Sequence, residues 1–308
     1  MLFMLKIIIL SILLLFSNIV FADASLKVHK VDNNVYALVG ELSQRSKDNL
    51  ANNSTHGVIV TDEGVILIDS GGSYLGARQI HKVIQGITDK PLKIVINTGG
   101  QDHRWLGNDY FLQLGARIIA SSKAQDDQKA RADSQMSRLD NLIGESLQNT
   151  KPVFATEVFD SKKYIKLGSV KLELHHFGPA HTSGDIVVWM PNKQIMFTGD
   201  IVFNNRMLGI GPAKNFQSWI NVFEKMASFE PSHIIPGHGN PSNLQEATKN
   251  TYQYLVFLKS KIAGILDHDG DMQDALKIDQ SNYNYLKNHE SIAGKNAQWV
   301  FEQMEFSY

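Results

Sequence analysis

The 308-residue sequence has no cysteine. That excludes disulfides, thiolate metal ligands and attachment of lipid to an N-terminal cysteine. It also has almost no charge excess: a net charge of -1 and a pI near 6.8 give no footing for nucleic acid or an anionic membrane as partner. No short-period repeat and no low-complexity linker breaks the chain. Stability must therefore come from an apolar core, and 43% hydrophobic against 20% charged residues supplies an ordinary globular one.

The first twenty residues stand apart. Lys6 gives a basic start, Ile7 to Val20 is almost wholly apolar, and Ala22 is a small residue suited to cleavage before Asp23. The apolar run is too short for a comfortable span, so residues 1–22 read as a secretory signal peptide. The mature chain, 23–308, is expected to be periplasmic or secreted, with no stable membrane insertion after cleavage.

Beyond it, short apolar runs alternate with amphipathic helical patterns. Strands are expected at 26–31, 34–39, 57–61, 65–69 and 93–96, with Asp62-Glu63-Gly64 as a hairpin turn. Tyr74 to Ile87 carries Leu75, Ile80, Val83, Ile84 and Ile87 at helical spacing. Ala124 to Gln148 is helical in composition but mostly polar, which suggests a solvent-facing excursion or a lid. Gly40 to His56 is a long polar loop with Arg45 and the pair Asn52-Asn53, either a surface connection or one wall of a cleft. In the strand 170–176, His176 shares a face with Leu172 and Leu174, so it is expected to be more buried than His175.

Four loops at strand ends carry histidine and aspartate. After Lys93 to Ile96 comes NTGGQDHRWLGN (97–108), holding Asp102 and His103. GPAHTSGD (178–185) sets His181 at the tip of a turn. Thr198-Gly199-Asp200 ends a further strand, and His233 to Gly239 closes on PGHG with His238. Taken singly, each is ordinary: His103 a polar loop residue, Asp200 a turn residue. Together they offer imidazole and carboxylate groups that suit Zn²⁺ or Fe²⁺ and a water of lowered pKa. Arg104, Trp105 and Arg206 are each open to two readings, as substrate contacts or as packing residues.

These stretches resemble the metallo-β-lactamase superfamily. GxxHTxGD, TGD and PGHG are intact and in the family's order, and 97–108 matches NTHxHxDHxxGN at Asn97, Thr98, Gly107 and Asn108. Both histidines of HxH are missing. Without a gap, Gly99 and Gln101 take their places, His103 takes the aspartate and Arg104 the last histidine. With one added residue before Gly107, Asp102-His103 falls on the Asp-His pair. The resemblance covers about residues 26–240 and implies an α+β, four-layered αββα sandwich spanning 23–308 with added C-terminal helices. It implies metal ligands at His103, His181, Asp200 and His238, with Asp102 as a further ligand or as general base. Asp69 is implied to brace a neighbouring loop. The loss of HxH favours one ion, Zn²⁺ or Fe²⁺, over two, unless His181 recruits a partner such as His176. The implied activity is an exported hydrolase whose metal-held hydroxide attacks an ester, thioester, lactone or lactam carbonyl of a small molecule. The alternative is a non-hydrolytic periplasmic binding protein with a degenerate metal site.

Overall fold

Strands that are apolar on both faces can be buried only between layers, and this chain uses that rule throughout. The computed structural model describes residues 26–211, 213 and 215–306; the expected signal peptide lies outside them. The first sheet runs β1 (Lys27–Asp32), β2 (Val35–Val39), β3 (Thr55–Val60) and β4 (Val65–Ile68) antiparallel, then adds β5 (Leu92–Ile96), β6 (Arg117–Ser121) and β7 (Glu157–Phe159) in parallel. The second is ordered β12-β11-β10-β9-β8, from β8 (Lys162–Leu167), β9 (Val170–His175), β10 (Val187–Met190), β11 (Ile195–Phe203) and β12 (His233–His238).

The alternation within β4 shows how the layers form. Ile66 and Ile68 face the second sheet and pack in a common core with Leu172, Leu174, Val188 and Phe197. Val65 and Leu67 face the other way, into a core with Ala77, Ile80 and Ile84 of α1 (Tyr74–Gln85). Two short helices, α2 (Asp102–Trp105) and α3 (Asn108–Gln113), follow β5, and the long α4 (Ser122–Ile143) follows β6. The outer face of the second sheet is covered by α5 (Phe216–Ala227), α6 (Leu244–Ala247), α7 (Gln253–Leu266), α8 (Met272–Leu276) and α9 (His289–Glu305), whose apolar residues share one core with β10–β12. The result is helix, sheet, sheet, helix: the expected αββα sandwich. Among the described residues, no helix is long and apolar enough to cross a membrane.

Three local expectations change. α4 is not simply a solvent-facing excursion: Ala124, Gln128, Ala132, Gln135, Leu139 and Ile143 form a buried stripe along it. β9 ends at His175, which is the buried member of its pair; His176 is only partly buried and its Nδ1 lies 2.9 Å from the Asp185 carbonyl, a satisfied polar state away from any metal ligand. β11 does not stop at Phe197 but continues to Phe203, with irregular register around Gly199. Asp200 therefore projects from a distorted strand, where a loop was expected. Such irregularities re-aim side chains near active sites.

The two sheets are in close contact at Gly57, where an added Cβ would overlap the Phe197 ring. Overpacking a close-packed interior costs about 1–3 kcal/mol. Gly57→Ala is therefore expected to lower unfolding free energy by about that amount, read from the midpoint shift in urea.

Candidate metal centre

Four strand ends meet at one edge of the sandwich, and a single side chain joins them. Arg104, on α2, is fully buried. Its Nε and Nη2 donate to the two Asp200 oxygens at 3.2 and 2.6 Å. Nη1 donates to Asp69 Oδ2 at 2.9 Å and the Thr55 carbonyl at 3.3 Å, and Nη2 also to the Gly237 carbonyl at 2.8 Å. All five guanidinium N–H groups are thus matched. Burial opposes the charge on Arg104, but Asp200 and Asp69 outweigh it and raise its pKa. Asp69, left-handed at φ 67°, also takes the Thr98 backbone N–H at 2.7 Å and the Thr98 hydroxyl at 2.8 Å. Burial pushes its pKa upward, against three donor groups that converge on its oxygens. It braces the loop after β5.

Around Asp200 stand two histidines. His103 Nε2 lies 3.1 Å from Oδ2 and His238 Nε2 3.2 Å from Oδ1. Among the described residues, His103, Asp200 and His238 form the cluster whose ligand atoms all lie within 4.8 Å of one another, every one buried. Burial opposes ionisation of Asp200, but Arg104 and His103 hold its pKa well below the ordinary value. The far nitrogen of each histidine is engaged. His238 Nδ1 is 2.7 Å from the Asn53 carbonyl, which fixes it as a donor and leaves Nε2 as a bare lone pair facing a carboxylate. His103 Nδ1 lies 2.6 Å from Arg45 Nη2, which can only donate, and 3.1 Å from Asp102 Oδ1, while its Nε2 faces Asp200. The lone pair of His238 Nε2 against a carboxylate is repelled unless a cation lies between them. Nitrogen and oxygen ligands about 2.1 Å from a tetrahedral ion sit about 3.4 Å apart, and the two histidine-to-Asp200 distances, each to a different carboxylate oxygen, lie near that. Each carboxylate oxygen has about two lone-pair sites, so Arg104 leaves room on both. The donor set fits one divalent ion.

The other expected residues fall outside this cluster. Asp102 is buried behind His103 and paired with Arg45, which also approaches His103 Nδ1 at 2.6 Å. Burial works against its charge, but Arg45 and His103 dominate and set its pKa far below the carboxylate range. A group so acidic is a poor general base, and it does not reach the ligand atoms; Asp102 orients His103. His181 is buried edge-on against Phe203 and Trp219, its Nδ1 without a partner. Burial pushes its pKa down to about 4, so it is neutral at pH 7, bordering the cluster without joining it. Neither Arg104 nor Trp105 is left to meet substrate: Arg104 is spent on Asp200 and Asp69, and the Trp105 indole stacks on Phe154 and donates to Gln135. Arg206, nine-tenths buried, has its Nη1 3.2 Å from His238 Nδ1 and no carboxylate partner among the described residues.

The missing HxH pair has been built over. A Cβ at Gly99 would overlap Asp185 Oδ1, so no histidine fits there. Gln101 is engaged by Arg131 at 3.2 Å, and Gln128 and Gln135 of α4 donate to the carbonyls of Gly99 and Gly100 at 3.1 and 2.9 Å. The two side chains that reach Asp200 from this stretch, His103 and Arg104, are those the ungapped register lays on the family's Asp-His pair. Sequence reasoning did not assign Arg45 or α4 to the site. The signal in α4 was a 4-4-3-4-4 spacing, masked because two of its positions are glutamine.

The metallo-beta-lactamase superfamily model matches residues 52–238, more than half of the sequence. The chain belongs to the metallo-beta-lactamase superfamily. It is 24% identical over 184 residues to metallo-beta-lactamase IND-1 of Chryseobacterium indologenes, covering 58% of this chain and 69% of that one. It is 24% identical over 179 residues to 2,4-dinitroanisole O-demethylase subunit alpha of a Nocardioides species, 58% of this chain and only half of that subunit. In structure, a metallo-beta-lactamase from Pontibacter korlensis superposes with TM-score 0.59 at 18% identity, covering 75% of this chain and 98% of that one, which supports the fold alone.

Two measurements test this site within the superfamily framework. Removing the charge at Arg104 strands two buried carboxylates, so Arg104→Met is expected to cost about 3–5 kcal/mol in chemical denaturation. Asp185 is fully buried, and burial pushes its pKa up to about 8 against two hydrogen bonds from Thr182. Its folded pKa lies above the unfolded one, so its contribution is complete below about pH 4 and is lost as pH rises toward 8. Melting curves should show a decline across that window that is flatter in Asp185→Asn.

Proposed function

We propose that the protein is an exported, metal-dependent hydrolase with one resident ion, acting on a carbonyl centre of a small molecule. The observation that carries this is the buried His103–Asp200–His238 cluster, with each histidine locked from behind so that Nε2 faces Asp200. Family membership supports metal-dependent hydrolytic chemistry in general. The names of the two relatives, a lactamase and an O-demethylase, show that the family does not fix the bond attacked. Export rests on the N-terminal sequence.

His103, Asp200 and His238 would hold the ion, and zinc or ferrous iron suits two imidazoles and a carboxylate. Such an ion supplies a water acidified toward neutral pH and polarises a carbonyl oxygen. The protein's own part is positional. Arg104 fixes the Asp200 carboxylate in one orientation, Asp102 and the Asn53 carbonyl fix the two imidazoles, and neutral His181 borders the centre as a proton acceptor. The closed HxH region supports a count of one ion.

Elemental analysis of the mature protein should find about one zinc or iron per chain, lost in His103→Ala and His238→Ala together with metal-dependent turnover. Wild type that takes up no metal even after loading would instead identify a binding protein. Asp102→Asn removes no ligand but weakens the hold on His103, so metal affinity should fall about 10–100-fold. A drop in kcat at unchanged metal affinity would return Asp102 to the role of base.

A further inference from the structure

One face of the His238 imidazole rests on Phe203. The parallel pairing of β11 with β12 loses its register between Gly199 and Phe203, and Phe203 comes opposite His238. The two rings stack with centroids 4.7 Å apart and 23° between their planes, and Phe203 also meets His181 edge-on at 5.5 Å. In a close-packed interior a shift of one ring is passed to its neighbour, so the pose of Phe203 limits that of His238.

Phe203 is in turn held by one hydroxyl. Thr251 is fully buried; it accepts from the Phe203 backbone N–H at 2.9 Å and donates to the Phe203 carbonyl at 2.8 Å. A hydroxyl has one donor and two acceptor sites, so a single side chain meets both backbone polar groups of one strand residue. The neighbouring Asn250, also buried, donates to Asn204 Oδ1 at 3.4 Å. Asn204 then donates from its backbone to the His238 carbonyl at 2.9 Å and from Nδ2 to the Asn240 carbonyl at 3.1 Å. Asn250 and Thr251 reach β11 from a single π-helical turn, Thr248–Tyr252, set between α6 and α7. Such turns are rare and are frequent at functional sites. This one lies beyond residue 238, where the family match ends.

We propose that Thr251 is a positioning residue of the metal centre, setting the pose of His238 through Phe203. The assignment rests on the one-ion reading of the His103–Asp200–His238 cluster. Thr251 is not a ligand; it holds Phe203 as the Asn53 carbonyl holds His238 Nδ1. Two restraints then define the imidazole, a hydrogen bond in its plane and a stacked ring across its face. Contacts of this outer kind change metal affinity about 10–100-fold when they are removed.

The test compares Thr251→Val, which keeps the shape and loses the hydroxyl, with Thr251→Ser, which keeps the hydroxyl. Zinc affinity of the mature chain, read by competition with a chromophoric chelator, should fall at least about tenfold in Thr251→Val and return to within about threefold of wild type in Thr251→Ser. Ile84→Ala, a core truncation in the opposite helix layer, is the control: it should lower stability and leave zinc affinity unchanged. Wild-type affinity in Thr251→Val, an equal loss in both Thr251 variants, or an equal loss in Ile84→Ala overturns the proposal. Should Thr251→Val not fold, Phe203→Leu removes the stacked ring and leaves the Thr251 bonds. The same loss is then expected, and wild-type affinity overturns the proposal. If wild type takes up no zinc, the one-ion reading fails on its own, and the ring-nitrogen NMR signals of His238 in the metal-free chain decide. Signals displaced in Thr251→Val and restored in Thr251→Ser support the positioning role; signals unmoved in both overturn it.

Discussion

Everything at the edge that carries the His103–Asp200–His238 cluster hangs on the Arg104 guanidinium. Its donors reach the end of β4 through Asp69, β3 through the Thr55 carbonyl, β11 through Asp200 and β12 through the Gly237 carbonyl. Strands of both sheets are therefore tied at the point where hydrophobic packing ends. A buried ion pair gives little net stability over apolar packing, but breaking it is costly. That asymmetry makes Arg104 a specifier: any rearrangement that moves one of these strand ends leaves a charge unmatched. The same contacts hold Asp200 in one pose, which is what a preorganised metal ligand requires.

The altered first motif follows from that arrangement and from what packs against it. Gly99 leaves the space into which Asp185 projects, and its carbonyl and that of Gly100 are capped by glutamines from α4. A site that had merely lost its ligands would have left a cavity or unpaired polar groups. Here the backbone of the Gly99-Gly100-Gln101 turn is satisfied by specific partners. The exception is His181, whose Nδ1 has no partner; its two neighbours in the family's ligand set are the missing ones.

Much of this was legible in the sequence, for physical reasons. Buried strands declare themselves by unbroken apolar runs and outer helices by helical periodicity, so the layers and the positions of His103, Asp200 and His238 could be placed. What could not be read were contacts set by three-dimensional approach. Arg45 is 57 residues from Asp102, and nothing local to its polar loop says that it turns inward. The burial of α4 was hidden because Gln128 and Gln135 are buried for their hydrogen bonds and carry no apolar signal. His175 and His176 exchanged places because the strand ended one residue earlier than alternation suggested. The role of Asp102 depended on which side of His103 it approached, a choice made by Arg45.

The ligand-bearing strand ends lie within the region shared with the superfamily, whereas the start of loop 40–54 and the whole of α9 lie outside it. The loop and α9 are fastened to each other by the Asn288–Leu42 contact, and the loop to the site by Arg45. Loop 40–54 holds both imidazoles from behind: its Asn53 carbonyl lies against His238 Nδ1 and its Arg45 against His103 Nδ1. The loop's dense network of asparagine hydrogen bonds is what makes that hold stiff.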